Sequence, residues 1–115
     1  MTKVIYYTTY LGENPPREFI ESLTEKQQRK VARILRNIEE YGLITAIPHV
    51  KKLKGTPLWE IRILGKDNIR IFYAVVVFDS VLLVHGFIKK SQQTPWREIQ
   101  KALNYLKDWL NTQRD

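Results

Sequence analysis

Hydrophobic and polar positions change period several times along the chain, and each change marks an element. Lys3 to Tyr7 alternates weakly and is rich in β-branched and aromatic residues, which predicts a first strand. Asn14 before Pro15 and Pro16 is a helix-starting signal, and Arg17 to Leu23 then suits a short helix with Phe19, Ile20 and Leu23 on its apolar side. Thr24 and Gln27 have the form of a capping box, so a second helix is expected to run to Tyr41 and to close at Gly42. On that helix Val31, Ile34, Leu35 and Ile38 share one stripe, while Lys26, Arg29, Lys30, Arg33 and Arg36 gather on the opposite one.

Gly42 to Pro57 has no sustained period and contains Pro48, Gly55 and Pro57; it reads as an irregular connection carrying Lys51, Lys52 and Lys54. Leu58 to Leu64 alternates again, with Trp59, Ile61 and Ile63 on one face and Glu60 and Arg62 on the other. The tetrad Gly65, Lys66, Asp67, Asn68 is turn chemistry, and Ile69 to Val77 follows as a strand. After a turn at Asp79 and Ser80, Val81 to Ile88 is a strand that is almost wholly apolar apart from His85. Connections this short allow only an antiparallel meander. Thr94 and Pro95 then supply an N-cap and a first helical proline. Ile99, Leu103, Leu106 and Leu110, widened by Ala102, Tyr105 and Trp109, repeat as a final helix. The order β α α β β β α predicts an α+β domain, with two N-terminal helices and a C-terminal helix packed on one face of an antiparallel sheet.

A length of 115 residues suits a single domain over 1–115, and 43% hydrophobic with 27% charged residues is the balance of a folded protein. No apolar run approaches the ~18 residues that cross a bilayer, and Met1 to Tyr10 does not resemble a secretory signal. A cytoplasmic protein with no membrane partner is expected. The absence of cysteine excludes disulfides, thiolate metal sites and cysteine nucleophiles. Nineteen Lys and Arg against 12 Asp and Glu leave a net charge of +7, which draws polyanions such as nucleic acid or an acidic protein.

His49 and His85 lie far apart and belong to no ligand-spaced cluster, and Glu60 is the only acid inside a predicted strand. No metal and no other cofactor is therefore expected. A Gly-rich phosphate loop and a GxSxG elbow are also missing. What remains is a set of cations at strand ends. A meander puts Arg62, at the end of one strand, beside Arg70, at the start of the next, and brings Lys89 and Lys90 out where Arg70 enters. Such a cluster suits a phosphate whose charge rises during cleavage. It equally suits a passive, non-catalytic basic nucleic-acid-binding domain.

The run Leu58-Trp59-Glu60-Ile61-Arg62, then Arg70-Ile71-Phe72-Tyr73, then Leu83-Val84-His85-Gly86-Phe87-Ile88-Lys89-Lys90, then Thr94-Pro95 and a helix containing Glu98-Ile99 resembles the HigB branch of the RelE-like toxins. The Lys-rich approach Lys51, Lys52, Lys54 belongs to the same resemblance. It implies a RelE-like microbial RNase-type fold and a type II toxin–antitoxin toxin, an endoribonuclease that cleaves messenger RNA on the ribosome. The implied partner is a cognate antitoxin, a helix-turn-helix DNA-binding protein. By that likeness the reaction is metal-free attack of the RNA 2′-hydroxyl on phosphorus. Arg70 stabilises the phosphorane, Lys89 or Lys90 assists the leaving oxygen, and Arg62 fills a basic position. Glu60 stands where the best-studied branch has a lysine, so the general base is Glu60, His85 or a lysine with lowered pKa, and Glu60 is the choice among them because its strand parity sets it beside Arg62, facing the cleft. Glu60 as a cross-sheet partner of a cation, His85 as a buried hydrogen-bonded histidine and Tyr73 as core are the plainer readings beside these roles. Tyr73 at an edge would stack on a base, and Arg29, Arg33 and Arg36 would meet phosphates.

Overall fold

The computed structural model describes residues 2–63, 68–90 and 92–112. Its elements, in chain order, are β1 (Val4–Tyr6), α1 (Pro15–Glu21), α2 (Glu25–Tyr41), β2 (Val50–Lys52), β3 (Trp59–Ile63), β4 (Ile69–Val76), β5 (Ser80–Ile88) and α3 (Trp96–Thr112), with 3-10 turns at Leu43–His49 and Val77–Asp79.

The helix starts follow the expected chemistry. The Thr24 hydroxyl accepts from the Gln27 backbone N–H at 3.1 Å, and the Gln27 side chain accepts from the Thr24 N–H at 2.9 Å, a complete capping box. Asn14 accepts from the Arg17 N–H at 3.1 Å, so α1 begins at Pro15 and holds both prolines in its first turn. Gly42 closes α2 with φ +91, a backbone region that favours glycine.

The sheet order is β1-β5-β4-β3-β2. β3, β4 and β5 form the antiparallel meander, but β1 pairs parallel to β5, so the sheet is mixed rather than wholly antiparallel. The long stretch of helices and strands between β1 and β5 gives the chain room to return in the same direction. The segment from Gly42 to Pro57, expected to be irregular, contributes the edge strand β2, antiparallel to β3. Three residues, two of them lysines, are too few to show an alternation.

The helices cover both faces of the sheet, not one. α1 with Phe19 and Ile20, the link residue Leu23, and α2 with Val31, Leu35 and Ile38 pack against Ile61, Ile71, Tyr73 and Leu83; α3 packs Ala102 and Leu106 against Phe72, Ala74, Leu82 and Val84 on the other side. The cause is the composition of β4 and β5. Ile69 to Ala74 and Ser80 to Phe87 are buried throughout, and a strand that is apolar on both sides has to be covered on both sides.

Between Phe72 and Tyr73 the β4–β5 register slips, so that Phe72 lies opposite His85 while Tyr73 lies opposite Leu83. Val84 is the extra residue of this bulge. Past it the alternation of β5 reverses: Leu82 and Val84 face α3 before it, Phe87 after it. The turn expected at Gly65, Lys66 and Asp67 lies outside the described residues, while Asn68 at its end has φ +50. Among the described residues no helix is long and apolar enough to cross a membrane.

Candidate active site

The polar face of β3 is the face turned toward α3, and the register sets its neighbours. Arg62 lies opposite Arg70, which in turn lies opposite Phe87; one row away, Lys51, Glu60, Phe72 and His85 follow each other across four strands. Two arginines at facing positions repel each other, an arrangement that an anion relieves.

Arg70 is only 4% exposed. Its Nη1 donates to the Ile69 carbonyl at 3.0 Å, and its buried Nε has no hydrogen-bond partner. Glu60, 2% exposed, holds Oε1 3.7 Å from that Nε, an ion pair without a hydrogen bond. Burial pulls the guanidinium pKa down, Glu60 opposes this, and Arg62 adds to it. An arginine remains cationic regardless. Thr94, expected as the N-cap of the last helix, instead donates its hydroxyl to Glu60 Oε2 at 3.1 Å, and α3 starts two residues later. A buried carboxylate beside a buried guanidinium recruits the nearest hydroxyl in preference to the helix end.

Past the end of β5, the Lys89 N–H donates to the Asn68 carbonyl at 2.8 Å and ties the two lysines to the start of β4. Asn68, Arg70, Lys89, Lys90 and Gln92 line a cavity of about 480 Å3. The meander argument therefore brings Arg70, Lys89 and Lys90 together as expected, with Arg62 beside Arg70 in register. Asn68 and Gln92 were not anticipated there; the only sequence signal for either is its nearness to a cation. Lys51 joins the same face opposite Glu60, at the sheet edge. Lys52 turns the other way: its ammonium donates to the Thr56 carbonyl at 2.7 Å and sits 5.3 Å from the centre of the Trp59 ring. Lys54 is exposed in the loop after β2.

The remaining expected site residues lie elsewhere. Tyr73 is 3% exposed and stacks on Trp59, ring centres 6.4 Å apart, under α2; burial pushes its phenol up to about 12. It is a core residue and has no face free for a base. His85, turned toward α3 by the bulge, has Nε2 2.6 Å from Glu98 Oε1 and packs against Phe87 and Tyr105. Its burial lowers the imidazole pKa, the Glu98 hydrogen bond and charge oppose that, and Lys101 adds to the lowering. His85 does not line the cationic cavity. Arg29, Arg33 and Arg36 are exposed on α2, across the sheet from the face that carries Arg70, and Arg29 pairs with Glu25 at 3.1 Å one turn away. Among the described residues no group of three or more His, Cys, Asp or Glu is placed to hold a metal ion.

The arrangement is a buried cationic floor with two lysines beside it, suited to a tetrahedral oxyanion carrying more than one negative oxygen. A family model described as phage derived protein Gp49-like (DUF891) matches residues 18–107. No curated protein is significantly similar to the chain.

Proposed function

The chain belongs to the Gp49-like family of phage-derived proteins, and on that premise we propose that it is the toxin of a type II toxin–antitoxin pair, a RelE-type endoribonuclease of the HigB branch. The observation that carries the reading is Arg70: a buried guanidinium with an unpartnered Nε, opposite a second arginine, at the floor of a cavity walled by Lys89 and Lys90. Such an array is costly for the empty protein and is relieved by a phosphate.

In the proposed reaction the RNA 2′-oxygen bonds to the adjacent phosphorus as the bond from phosphorus to O5′ breaks. The products are a 2′,3′-cyclic phosphate and a 5′-hydroxyl end. Arg70 and Arg62 balance the charge that builds on the non-bridging oxygens. Proton movement at O2′ and O5′ falls to Lys89 and Lys90, which line the cavity, rather than to Glu60 or His85, which do not. Glu60 has the role of counter-ion and positioning residue for Arg70, itself held by Thr94. Messenger RNA on the ribosome is the proposed substrate, and a helix-turn-helix antitoxin the proposed partner.

The test is expression of the chain alone, followed by mapping of transcript ends. Parent protein should arrest translation and leave 5′-hydroxyl ends, and the paired change Lys89→Ala with Lys90→Ala, at the cavity wall where folding is not at stake, should lower cleavage by about 100-fold or more. Transcripts that stay intact under the parent protein would instead favour a non-catalytic nucleic-acid-binding domain.

A further inference from the structure

A second cavity adjoins the cationic one. Phe19, Ile88, Lys90, Pro95, Arg97 and Glu98 line about 510 Å3 between α1 and the start of α3, and Lys90 borders both spaces. It exists because β1 ends at Tyr6, opposite Leu83, so the following part of β5 has no described strand beside it on that side. Phe19 lies directly on Gly86 there, and Ile88 is 46% exposed. The two cavities differ in character. The first is walled by cations and amides, the second has an apolar ring and two aliphatic surfaces with charged groups at its rim.

Glu98 is the chemically distinctive member. Its Oε1 is engaged with His85 Nε2 at 2.6 Å, which fixes the carboxylate, while Oε2 lies 3.6 Å from Arg97 Nε, beyond a hydrogen bond. A held acceptor over an apolar floor, next to a cationic site, is the layout of a nucleotide pocket. The volume falls within the roughly 300–1,000 Å3 of small-ligand sites.

We propose that this second cavity is a nucleobase subsite. It receives the base flanking the phosphate held at Arg70, with Phe19, Ile88 and Pro95 against the ring and Glu98 Oε2 accepting from an amino group of the base. The inference rests on the RNA reading above and adds a specificity to it. Adenine, cytosine and guanine carry exocyclic amino groups. Uracil offers a single imino N–H between two carbonyl oxygens, and those oxygens repel a carboxylate that approaches it. The subsite therefore favours amino-bearing bases over uracil. Continuity with the cationic cavity through Lys90, and the cation Arg97 at the rim, favour a nucleic acid over a protein strand added to the open edge of β5.

The experiment uses short, non-cleavable 2′-O-methyl oligoribonucleotides of one base type each, with binding followed by fluorescence anisotropy at low salt. Adenine, cytosine and guanine oligomers should bind at least 5-fold more tightly than uracil oligomers, and Glu98→Gln should reduce that advantage to less than 2-fold. Ile88→Asp, on a half-exposed position, should weaken the amino-bearing oligomers most. Equal affinities for all four bases in the parent protein, or a preference that survives Glu98→Gln, overturns the subsite. So does an amide NMR titration in which oligomers shift Arg70 and Lys89 but leave Phe19, Ile88 and Glu98 unmoved, the pattern expected if a protein strand is the true occupant. Because the oligomers cannot be cleaved, base-selective binding without ribonuclease activity would remove the proposed reaction and leave the subsite standing. Failure to bind any oligomer at low salt removes both.

Discussion

At the scale of single residues, His85 has the clearest solution signature. The folded protein holds its imidazole pKa below 6.5, chiefly through burial, whereas the unfolded chain titrates near 6.5. The unfolded state therefore takes up the proton first on acidification, so the contribution of neutral His85 is complete above about pH 6.5 and is lost as pH falls through the folded value. The melting temperature of the parent should drop more steeply between about pH 7 and pH 5 than that of His85→Gln, which has nothing to titrate there. Parallel profiles would mean that the Glu98 hydrogen bond offsets burial in full. The sequence places His85 in an apolar strand, and burial follows from that. Its direction does not follow, because it depends on one extra residue in β5 whose presence is a matter of pairing, not of composition. Glu60 is a similar case: alternation puts it on the polar face with Arg62, yet its partner is Arg70 on the next strand and its hydrogen bond comes from Thr94, 34 residues on.

At the scale of elements, Gly86 decides how α1 meets the sheet. A Cβ built there would overlap the Phe19 ring, so Gly86→Ala should cost about 1–3 kcal/mol in urea unfolding, with part of the loss recovered when Phe19→Leu is added. A neutral Gly86→Ala would show that α1 shifts freely. The helices were legible because their signals are local: the Thr24 and Gln27 box, Asn14 before two prolines, and Gly42 all act within one turn. β2 was not, since nothing in Val50-Lys51-Lys52 distinguishes a short edge strand from a loop until β3 lies beside it. Coverage of both sheet faces had a signal, the almost wholly apolar sequence of β5, and that signal outweighs the habit of placing the helices of an α+β fold on one side.

On the scale of the whole molecule, two groups of described cations lie on opposite sides of the sheet. One is at the cavity of Arg70; the other is on the outer face of α2. An RNA strand in the cavity and phosphates on Arg29, Arg33 and Arg36 would thus be gripped from two sides, as a surface in a large complex can do and a short oligomer cannot. Replacing these three arginines with glutamine should lower the salt slope of ribosome binding by about 2, taking ~0.7 per contact, while leaving the slope for a short oligomer unaltered. An unaltered slope for ribosomes as well would make the α2 face a solvated surface. The cation cluster was readable in advance because a meander of short connections fixes which strand ends meet; the second cavity was not, because it depends on where β1 stops. β1 carries one more implication, for the order in which the chain folds. Tyr7 donates to Asp108 at 2.5 Å, joining residues 101 positions apart, and β1 pairs only with the last strand. Closing that seam requires bringing together nearly opposite ends of the chain, so it should come late, and Tyr7→Phe should speed unfolding while leaving the folding rate within about 2-fold. A nascent chain whose α3 is still inside the ribosome that is making it would then lack the Tyr7 seam, and would close it only once α3 has emerged.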